Sequence, residues 1–325
     1  MSAAGKERVV VTGAAGFIGS HTCEALLASG RDVVGVDNFD PFYSREIKER
    51  NLAGLRGRPG FRFVEADVVS DLLPLEGATI VLHLAARPGV RPSLADPAGY
   101  VVANVVATAR VLEACRQAGI QRVVFGSSSS VYGDATPPPF REDAPAAEPI
   151  SPYAATKRAA ELVAHAFVHL YGQRIICLRF FTVYGPRQRP DLAIHRFTSL
   201  IARGQPVAVH GDGSSERDYT YITDALDGIL AAVEWTGRER SAALEIVNIG
   251  GGSRVRLDRL IALIGTTLGR EVLLDRRAEQ PGDVRLTAAD LSRAERLLGY
   301  RPHVGIEGGI RHFVRWYQEA HGRQP

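Results

Sequence analysis

The stretch that decides the fold is Val9-Val-Val-Thr-Gly13-Ala-Ala-Gly16-Phe-Ile-Gly19-Ser-His21. An apolar run over 8–11 predicts a strand, and the residues after the glycines predict a helix over 17–29. Glycines at this spacing allow a tight turn, close approach of the backbone to a pyrophosphate, and close packing of helix on strand. The amino terminus of the helix then faces the phosphates. A plain strand–helix turn is the alternative, but the order of the elements favours a dinucleotide-binding unit.

The end of the second predicted strand, over 32–36, indicates which dinucleotide is bound. Asp37 follows it directly. A carboxylate at this point accepts hydrogen bonds from an adenosine ribose and repels a 2′-phosphate, so NAD is favoured over NADP. Asp67 and Val68 follow the third predicted strand, over 61–65, and are placed to meet the adenine. A cap at the start of a loop is the alternative for Asp37, and a surface turn is the alternative for Asp67 and Val68.

Short apolar runs and helical patterns alternate along the first half of the chain. Further strands are predicted over 79–84, 122–125 and 174–179, and helices over 97–117 and 151–171. This alternation is typical of βαβ units that form a parallel sheet covered on both faces. We therefore predict an α/β fold, a Rossmann-like doubly wound parallel sheet, in residues 1–180.

The texture of the sequence changes after Gly185, where Gly and Pro interrupt short segments such as GPRQRP and HGDGSS. This change predicts a smaller α/β substrate-binding domain that makes up most of 181–325. A helical pattern over 222–234 and an apolar run over 245–249 predict that about 220–250 returns to the first domain.

Composition and charge exclude several classes of protein. The 325 residues carry 39 basic and 36 acidic side chains, a net charge of +3 that is too small and too dispersed for a nucleic-acid partner. Cys23, Cys115 and Cys177 lack the spacing of a disulfide framework or a metal site, so we expect no metal and a reducing compartment. No apolar run approaches the roughly 20 residues of a membrane span, and no signal peptide is evident. These features predict a cytoplasmic protein without a membrane partner.

The pair Tyr153 and Lys157 is the strongest candidate for catalysis. Residues four apart share one helix face, and a Lys ammonium beside a phenol favours phenolate, lowering the Tyr pKa from its ordinary value of about 10. Tyr153 could then act as general base toward a substrate hydroxyl, and Lys157 could donate to the nicotinamide ribose. Lys157 is one of only three lysines, with Lys6 and Lys48. An exposed helical Tyr and Lys is the alternative.

A serine-rich segment, Gly126-Ser-Ser-Ser-Ser-Val-Tyr132-Gly133, follows the fifth predicted strand of the sheet. The carboxyl ends of parallel strands face the ligand crevice. Ser128 could therefore hydrogen-bond the same substrate oxygen that Tyr153 deprotonates.

Eight motifs, spread over almost the whole chain, carry a family resemblance: GAAGFIGSH, VDNF, HLAA, SSSSVYG, SPYAATK, RFFTVYGP, GDGSSERDYTYI and NIGGG. Together they resemble the extended short-chain dehydrogenase/reductases of the nucleotide-sugar epimerase and dehydratase type. The resemblance implies tightly bound NAD, a UDP- or dTDP-sugar substrate and a homodimer. The cofactor-binding residues that it implies are Gly13, Gly16, Phe17, Ile18, Gly19, Asp37, Asn38, Asp67, Val68, Leu84, Ala85, Ala86, Asn104, Tyr153, Lys157 and Phe180.

A few positions distinguish the members of this family. Its dehydratases carry Thr-Asp-Glu where this chain has Ser128, Ser129 and Ser130, and its UDP-glucuronate decarboxylases carry Glu at the place of Ser130. This chain therefore lacks the pair of acidic residues that elimination of water requires. Epimerases acting on UDP-glucose usually have Asn where Thr182 stands. Thr182, with the following PRQRPDLA, resembles the UDP-glucuronate 4-epimerases.

The substrate-binding residues follow from this resemblance. Hydroxyls of Ser129, Ser130 and Thr182 could hold a sugar carboxylate, with Arg91 as a nearby cation and Phe181 in the same segment; simple packing is the alternative for Thr182. Arg189 and Arg217 are expected to hold the diphosphate, because guanidinium groups bind phosphate bidentately. Asp283 is the candidate for the uridine ribose. Gln280 stands near the position where some relatives have Arg, which puts that contact in doubt.

The expected reaction is 4-epimerisation of UDP-glucuronate to UDP-galacturonate. Tyr153 removes the 4-OH proton as hydride leaves C4, the 4-keto sugar turns over, and hydride returns to its other face, so no external oxidant is consumed. A UDP-glucose or UDP-N-acetylhexosamine 4-epimerase is the alternative within the family. A non-enzymatic NAD-binding scaffold is the alternative from another class, since fold does not fix function.

Overall fold

Strands and helices alternate along the computed structural model, which describes residues 6–278 and 286–322. The strands are β1 (Arg8–Thr12), β2 (Asp32–Asp37), β3 (Phe61–Glu65), β4 (Ile80–His83), β5 (Arg122–Ser128), β6 (Arg174–Phe180), β7 (Thr182–Tyr184), β8 (Val207–His210), β9 (Glu216–Tyr221), β10 (Ala243–Ile249), β11 (Arg254–Arg256) and β12 (Leu274–Arg277). The α-helices are α1 (Phe17–Ala28), α2 (Arg45–Ala53), α3 (Val90–Ala95), α4 (Pro97–Val101), α5 (Ala107–Gln117), α6 (Pro152–Tyr171), α7 (Ala193–Ala202), α8 (Ile222–Arg238), α9 (Leu257–Leu268), α10 (Ser292–Leu298) and α11 (Ile306–His321).

Seven parallel strands form the main sheet, in the order β10-β6-β5-β4-β1-β2-β3. The chain runs outward from β1 to β3 and then returns to place β4 on the other side of β1. In open α/β sheets, ligands bind outside the carboxyl ends of the strands at such a reversal. The predicted Rossmann-like sheet is confirmed, and β10 lies at its edge, paired with β6.

The consecutive valines of β1 contribute to the apolar cores on both faces of this sheet. Successive side chains of a strand point to opposite faces. Val9 and Val11 belong to the apolar core shared with α1 and α8. Val10 belongs to the core on the other face, where Val111 of α5 and Ala160 of α6 pack. Burial of both faces favours the near-continuous apolar runs typical of parallel strands.

The ends of α6 are fixed by local chemistry. The Ser151 hydroxyl accepts a hydrogen bond from the Ala154 amide, and Pro152 occupies the first helical turn, where its missing N–H costs nothing. Gly172 ends the helix in a left-handed conformation with φ 71°. These signals hold Tyr153 in the first turn of the helix.

Two smaller sheets lie beyond the main one. β7 and β9 are parallel, β11 pairs antiparallel to β9, and β8 pairs with β12. Helices α7, α9 and α11 pack with them in the core that also includes α1. This smaller region brings β7 and β9 to the end of the main sheet where β1 and β4 terminate.

The structure differs from the sequence-based assignment at several elements. β5 continues to Ser128, three residues beyond the predicted end, because Ser127 and Ser128 pair with Arg179 and Phe180 of β6. The polar helix α2 was not predicted, since its segment, REIKERNLA, lacks a wide apolar stripe. The predicted helix over 97–117 is present, with a π-helical turn at Val102–Val106 in its middle.

One helical stretch, Pro97–Gln117, is long and apolar enough by length and composition to cross a membrane. The expectation that no segment has this length was therefore wrong. Val111, Leu112 and Cys115 of this stretch are buried against the main sheet. Those contacts are typical of a core helix.

Candidate active site

A cavity of about 860 Å³ lies at the carboxyl ends of the main-sheet strands and extends to β7 and β9. The predicted site residues that line it are Gly13, Gly16, Phe17, Ile18, Gly19, Asp37, Asn38, Asp67, Val68, Leu84, Ala85, Ala86, Ser128, Ser129, Ser130, Tyr153, Lys157, Phe180, Phe181, Thr182, Arg189 and Arg217. The fold thus brings residues from distant parts of the chain to one cavity.

The glycines at one end of the cavity permit approaches that a side chain would block. A β-carbon on Gly13, where φ is +74°, would lie 2.8 Å from the Ala85 nitrogen. A β-carbon on Gly19 would lie 2.0 Å from the Gly13 carbonyl oxygen. α1 begins after Gly16 without a capping side chain, so its first amides face the cavity as an anion site.

Asp37 lies at the adjoining edge of the cavity. Its carboxylate accepts hydrogen bonds from the amides of Ala15 (3.1 Å) and Phe39 (2.8 Å). The Lys48 ammonium lies 3.7 Å from the same carboxylate. These contacts fix the carboxylate at the tip of β2, next to the glycine turn.

The residues at this end fit a dinucleotide of the NAD type. The uncapped helix suits a pyrophosphate, and the carboxylate at the strand end suits ribose hydroxyls. Asn38 donates to Asp67 at 2.9 Å, which joins the ends of β2 and β3 beside them. Among the described residues, the buried Tyr43 hydroxyl has no hydrogen-bond partner, and it lies 4.0 Å from where a Gly16 β-carbon would stand. A polar ligand at the glycine turn would be within its reach.

Tyr153 and Ser128 meet at the middle of the cavity. The Ser128 oxygen accepts hydrogen bonds from the Ser130 hydroxyl (2.9 Å) and the Ser130 amide (3.2 Å), which leaves its own proton for Tyr153. Burial raises the pKa of Tyr153, and the hydrogen bond from Ser128 and the positive charge of Arg189 oppose that rise. Both hydroxyls can therefore form hydrogen bonds to one substrate oxygen.

Lys157 lies on the same face of α6 and is 5% exposed. Its ammonium donates to the Gly126 carbonyl at 2.7 Å and lies over the Phe125 ring. Burial lowers the pKa of Lys157 to about 8. The expectation that Lys157 depresses the pKa of Tyr153 was wrong for this geometry, because the ammonium is directed at a backbone carbonyl and burial of the phenol dominates.

The other end of the cavity combines neutral hydroxyls with two arginines. Ser129, Ser130 and Thr182 line it, and no carboxylate occupies these three positions. Arg189 makes a two-point ion pair with Asp191, at 2.9 Å for each bond, and stacks over the Phe42 ring. Arg217 reaches the cavity from β9. This end can therefore take an anionic, strongly hydrogen-bonding ligand.

Within the part of the chain that the structure describes, two predicted site residues, Arg91 and Asn104, do not line the cavity. Arg91 is exposed on α3, and Arg87 of the preceding loop reaches the cavity instead. Asn104 is buried in the π-helical turn, where its side chain accepts from the Arg87 amide (2.8 Å) and donates to Thr156 (3.0 Å). Asn104 thus supports the cavity wall without lining the cavity itself. Asp283, like Gln280, lies outside the described residues.

Sequence reasoning missed several residues that line the cavity, namely Asp40, Phe42, Tyr43, Lys48, Arg87 and Thr287. Only Lys48 carried a signal, as one of three lysines in a chain rich in Arg. Arg87 pairs with Asp40 (2.9 Å) and Asp96 (3.0 Å), contacts that no local pattern indicates.

Known proteins are similar to this chain in sequence and in structure. Residues 9–250 match the model of the NAD dependent epimerase/dehydratase family. A UDP-glucuronate 4-epimerase of Thermodesulfobacterium geofontis is 38% identical over 316 residues, which cover 95% of this chain and 96% of that protein. The crystal structure of UDP-glucuronic acid 4-epimerase from Bacillus cereus, in complex with UDP-glucuronic acid and NAD, matches with a TM-score of 0.91 and 36% identity, over 97% of this chain and 100% of that one.

A UDP-glucose 4-epimerase of Thermotoga maritima, solved with UDP-glucose, matches with a TM-score of 0.86 and 30% identity, over 96% of this chain and 99% of that one. Since the family model covers well over half of the sequence and the relatives align over nearly all of it, the chain belongs to the NAD dependent epimerase/dehydratase family.

Proposed function

We propose that this protein is an NAD-dependent 4-epimerase that interconverts UDP-glucuronate and UDP-galacturonate. The observation that carries the proposal is the meeting of Ser128, Tyr153 and Lys157 with three neutral hydroxyls, of Ser129, Ser130 and Thr182, in one cavity. The similarity to UDP-glucuronate 4-epimerases over nearly the whole chain supports the same substrate.

The cofactor is held by the glycine turn, the first turn of α1 and the Asp37 carboxylate. Bound NAD would supply the acceptor, and then the donor, of the hydride at C4 of the sugar. Tyr153 takes the proton from the 4-hydroxyl and later returns it, and Ser128 donates a hydrogen bond to the same oxygen. Lys157 donates to the nicotinamide ribose. Asn104 supports the cofactor site indirectly, through its hydrogen bonds to the wall of the cavity.

The sugar carboxylate distinguishes this substrate from UDP-glucose. Oxidation of C4 produces a β-keto acid, which loses carbon dioxide when the bond to the carboxyl group aligns with the carbonyl π system. Hydroxyls of Ser129 and Thr182 hold the carboxylate out of that alignment, and the Ser130 hydroxyl joins them by turning from Ser128 to the sugar, while the Ser130 amide still donates to Ser128. Arg189 and Arg217 bind the diphosphate, Phe181 packs beside the sugar, and Asp283 binds the uridine ribose.

A panel of UDP-sugars tests the proposal. Purified protein is incubated without added NAD with UDP-glucuronate, UDP-glucose and UDP-N-acetylglucosamine, and the products are separated by chromatography. We expect interconversion of UDP-glucuronate and UDP-galacturonate with a higher kcat/KM than for the neutral sugars. Epimerisation of UDP-glucose alone would reject the substrate, and inactivity on every UDP-sugar would favour a non-enzymatic NAD-binding scaffold.

The protein is also proposed to act as a homodimer. Exposed apolar side chains lie on the stretch Pro97–Gln117 and on α6, which pack against each other: Val101, Val102, Val106, Leu162, Leu170 and Tyr171. We call this surface the α6 face and propose that a second copy of the chain packs against it.

Domain division and location complete the proposal. Residues 1–180, with about 220–250, bind the cofactor, and most of 181–325 binds the nucleotide sugar. Three buried, unpaired cysteines are consistent with a cytoplasmic location, since reduced thiols are the rule there.

A further inference from the structure

Glu161 is a buried carboxylate on α6 that the proposed reaction does not use. It is 1% exposed, and it follows Tyr153 and Lys157 at intervals of four residues, so all three share one face of the helix. An ionised carboxylate this far from water needs partners that compensate its desolvation. The nature of those partners indicates its role.

Four hydrogen bonds converge on this carboxylate. One oxygen accepts from the Ser127 hydroxyl (2.6 Å) and from Arg179 Nε (2.9 Å). The other accepts from Arg179 Nη2 (2.8 Å) and from Arg158 Nη1 (3.0 Å). Burial would raise the pKa of Glu161, but the hydrogen bonds and charge of Arg179 hold it below the usual value. Glu161 is therefore a fixed negative charge inside the protein.

The partners of Glu161 stand directly beside site residues. Ser127 precedes Ser128 on β5, and Arg179 precedes Phe180 on β6, in a register that pairs Ser127 with Arg179. Arg179 is itself 1% exposed and lies over the Tyr132 ring. The carboxylate thus ties α6 to the ends of the two strands that border the catalytic hydroxyls.

The charge of Glu161 also acts on Lys157. Burial lowers the pKa of Lys157, and the negative charge of Glu161 is the largest opposing influence. The other titratable or charged groups around this lysine are Tyr153 and Arg158 on α6, His83 on β4, and Cys177 and Arg179 on β6. Burial lowers the pKa of His83 to about 3 and raises that of the Cys177 thiol, so both are neutral near pH 7. Glu161 is the only acid in this group, and the arginines are paired to it.

We propose that Glu161 is a positioning residue for the epimerase reaction: its ion pair with Arg179 fixes Ser128 and Lys157 around Tyr153 and keeps Lys157 in its ammonium form. The expected effect on turnover rests on the proposed function. The placement of the charge is independent of which sugar is bound.

Paired substitutions separate this role from simple support of the fold. Replacing a buried ion pair with apolar residues of similar size is often neutral for stability, so Glu161→Met with Arg179→Met is expected to fold while removing both charges. Glu161→Gln removes only the negative charge, and Glu161→Asp keeps it on a shorter side chain. Glu113→Gln is the control, because it breaks the exposed ion pair with Arg116 on α5, away from the cavity.

The titration of Lys157 can be read directly, since the chain has only three lysines. NMR spectra of ¹³C-lysine-labelled, NAD-bound protein would show three ε-methylene signals, and loss of one in Lys157→Arg assigns it. In Glu161→Gln we expect the Lys157 midpoint to fall by about one unit, a tenfold change in the equilibrium. The alkaline limb of kcat for UDP-glucuronate should move to lower pH with it, with KM and bound NAD little changed.

The control and Glu161→Asp should both keep the Lys157 midpoint near that of the wild-type protein. A folded Met/Met variant with unaltered kcat and pH profile would overturn the inference. If that variant does not fold, equal midpoints in Glu161→Gln and Glu161→Asp would overturn it instead. Should the wild-type protein ignore all UDP-sugars, the proposed function fails, while the lysine titration still decides whether Glu161 holds the charge of Lys157.

Discussion

At the scale of single residues, the active site depends on how a hydroxyl and an ammonium are oriented around one phenol. Ser130 donates to Ser128, and this leaves the Ser128 proton directed at Tyr153. Lys157 is held by the Gly126 carbonyl at 2.7 Å. The buried Tyr153 keeps a raised pKa in this arrangement, and Ser128 and Arg189 oppose the rise, so the phenolate needs further stabilisation from bound ligands before it can act as a base.

Replacing Tyr153 with Phe should remove the general base without disturbing α6. We expect turnover of UDP-glucuronate to fall at least about 10²-fold, the low end for a positioned acid or base, with NAD still bound. Steady-state kinetics and cofactor content measure both effects. Tyr317→Phe, which removes a hydroxyl from α11, is the matched control. Near-normal turnover in Tyr153→Phe would exclude the proposed base.

The hydroxyl of Thr182 should matter more for a sugar acid than for a neutral sugar. A hydrogen bond to a charged group is worth about 1.5–3 kcal/mol, so Thr182→Ala should lower kcat/KM for UDP-glucuronate by about 10- to 150-fold and should affect UDP-glucose less. Ser130→Ala should act in the same direction. We also expect some 4-keto intermediate to lose carbon dioxide and escape as a UDP-pentose-4-ulose.

Released carbon dioxide, epimer and decarboxylated sugar are measured for each variant. Thr267→Ala on α9 is the control, because its hydroxyl bonds only the Leu263 carbonyl of its own helix among the bonds described. Equal losses for both sugars in Thr182→Ala would remove the carboxylate role and leave the epimerase assignment intact.

At the scale of elements, the glycine turn between β1 and α1 sets the distance between strand and helix. Its glycines serve contacts within the protein as well as a ligand, because the Gly19 position faces the Gly13 carbonyl rather than open space. The approach of α1 to β1 therefore depends on the missing β-carbon. That approach aims the uncapped amides of the helix into the cavity.

Gly19→Ala should therefore displace α1. Its β-carbon would lie 2.0 Å from the Gly13 oxygen, so we expect loss of bound NAD and a lower melting temperature. Gly54→Ala is the control, since its β-carbon would meet only the end of the Glu24 side chain, at 3.7 Å. Cofactor content and thermal unfolding are measured for both. Full NAD occupancy in Gly19→Ala would contradict the role assigned to this turn.

At the scale of the whole molecule, the α6 face is an exposed apolar surface formed partly by the helix that carries the proposed catalytic residues. Leu162 is 55% exposed and Leu170 64% exposed, although they belong to the helix whose other side carries Tyr153 and Lys157. An apolar face on such an element favours association with a second copy.

Leu162→Glu tests the proposed dimer. A charge placed in an apolar interface must lose its hydration, so this variant should run as a monomer in light scattering after size exclusion, while the wild-type protein runs as a dimer. Leu72→Glu is the matched control, because Leu72 is 96% exposed and lies outside this face. A wild-type monomer, or a dimer that Leu162→Glu leaves intact, would contradict the proposal.

The sequence by itself determined the features that arise from neighbours along the chain. The glycine turn, the apolar run over 8–11, and the interval between Tyr153 and Lys157 are local patterns that strand, turn or helix geometry sets. They predicted the parallel sheet and the NAD-type end. The family resemblance supplied most of the residues around the cavity and the expected substrate.

Only the tertiary structure decided which distant groups meet. It brings Lys48 within 3.7 Å of Asp37, places Arg87 rather than Arg91 at the cavity, and joins Glu161 of α6 to Arg179 of β6. It also directs Lys157 to the Gly126 carbonyl, which overturned the expected effect on the pKa of Tyr153. Such contacts depend on strand order, register and burial, because a buried charge is stabilised by whichever partner the fold brings near it. The spacing of residues along the sequence does not indicate which partner that will be.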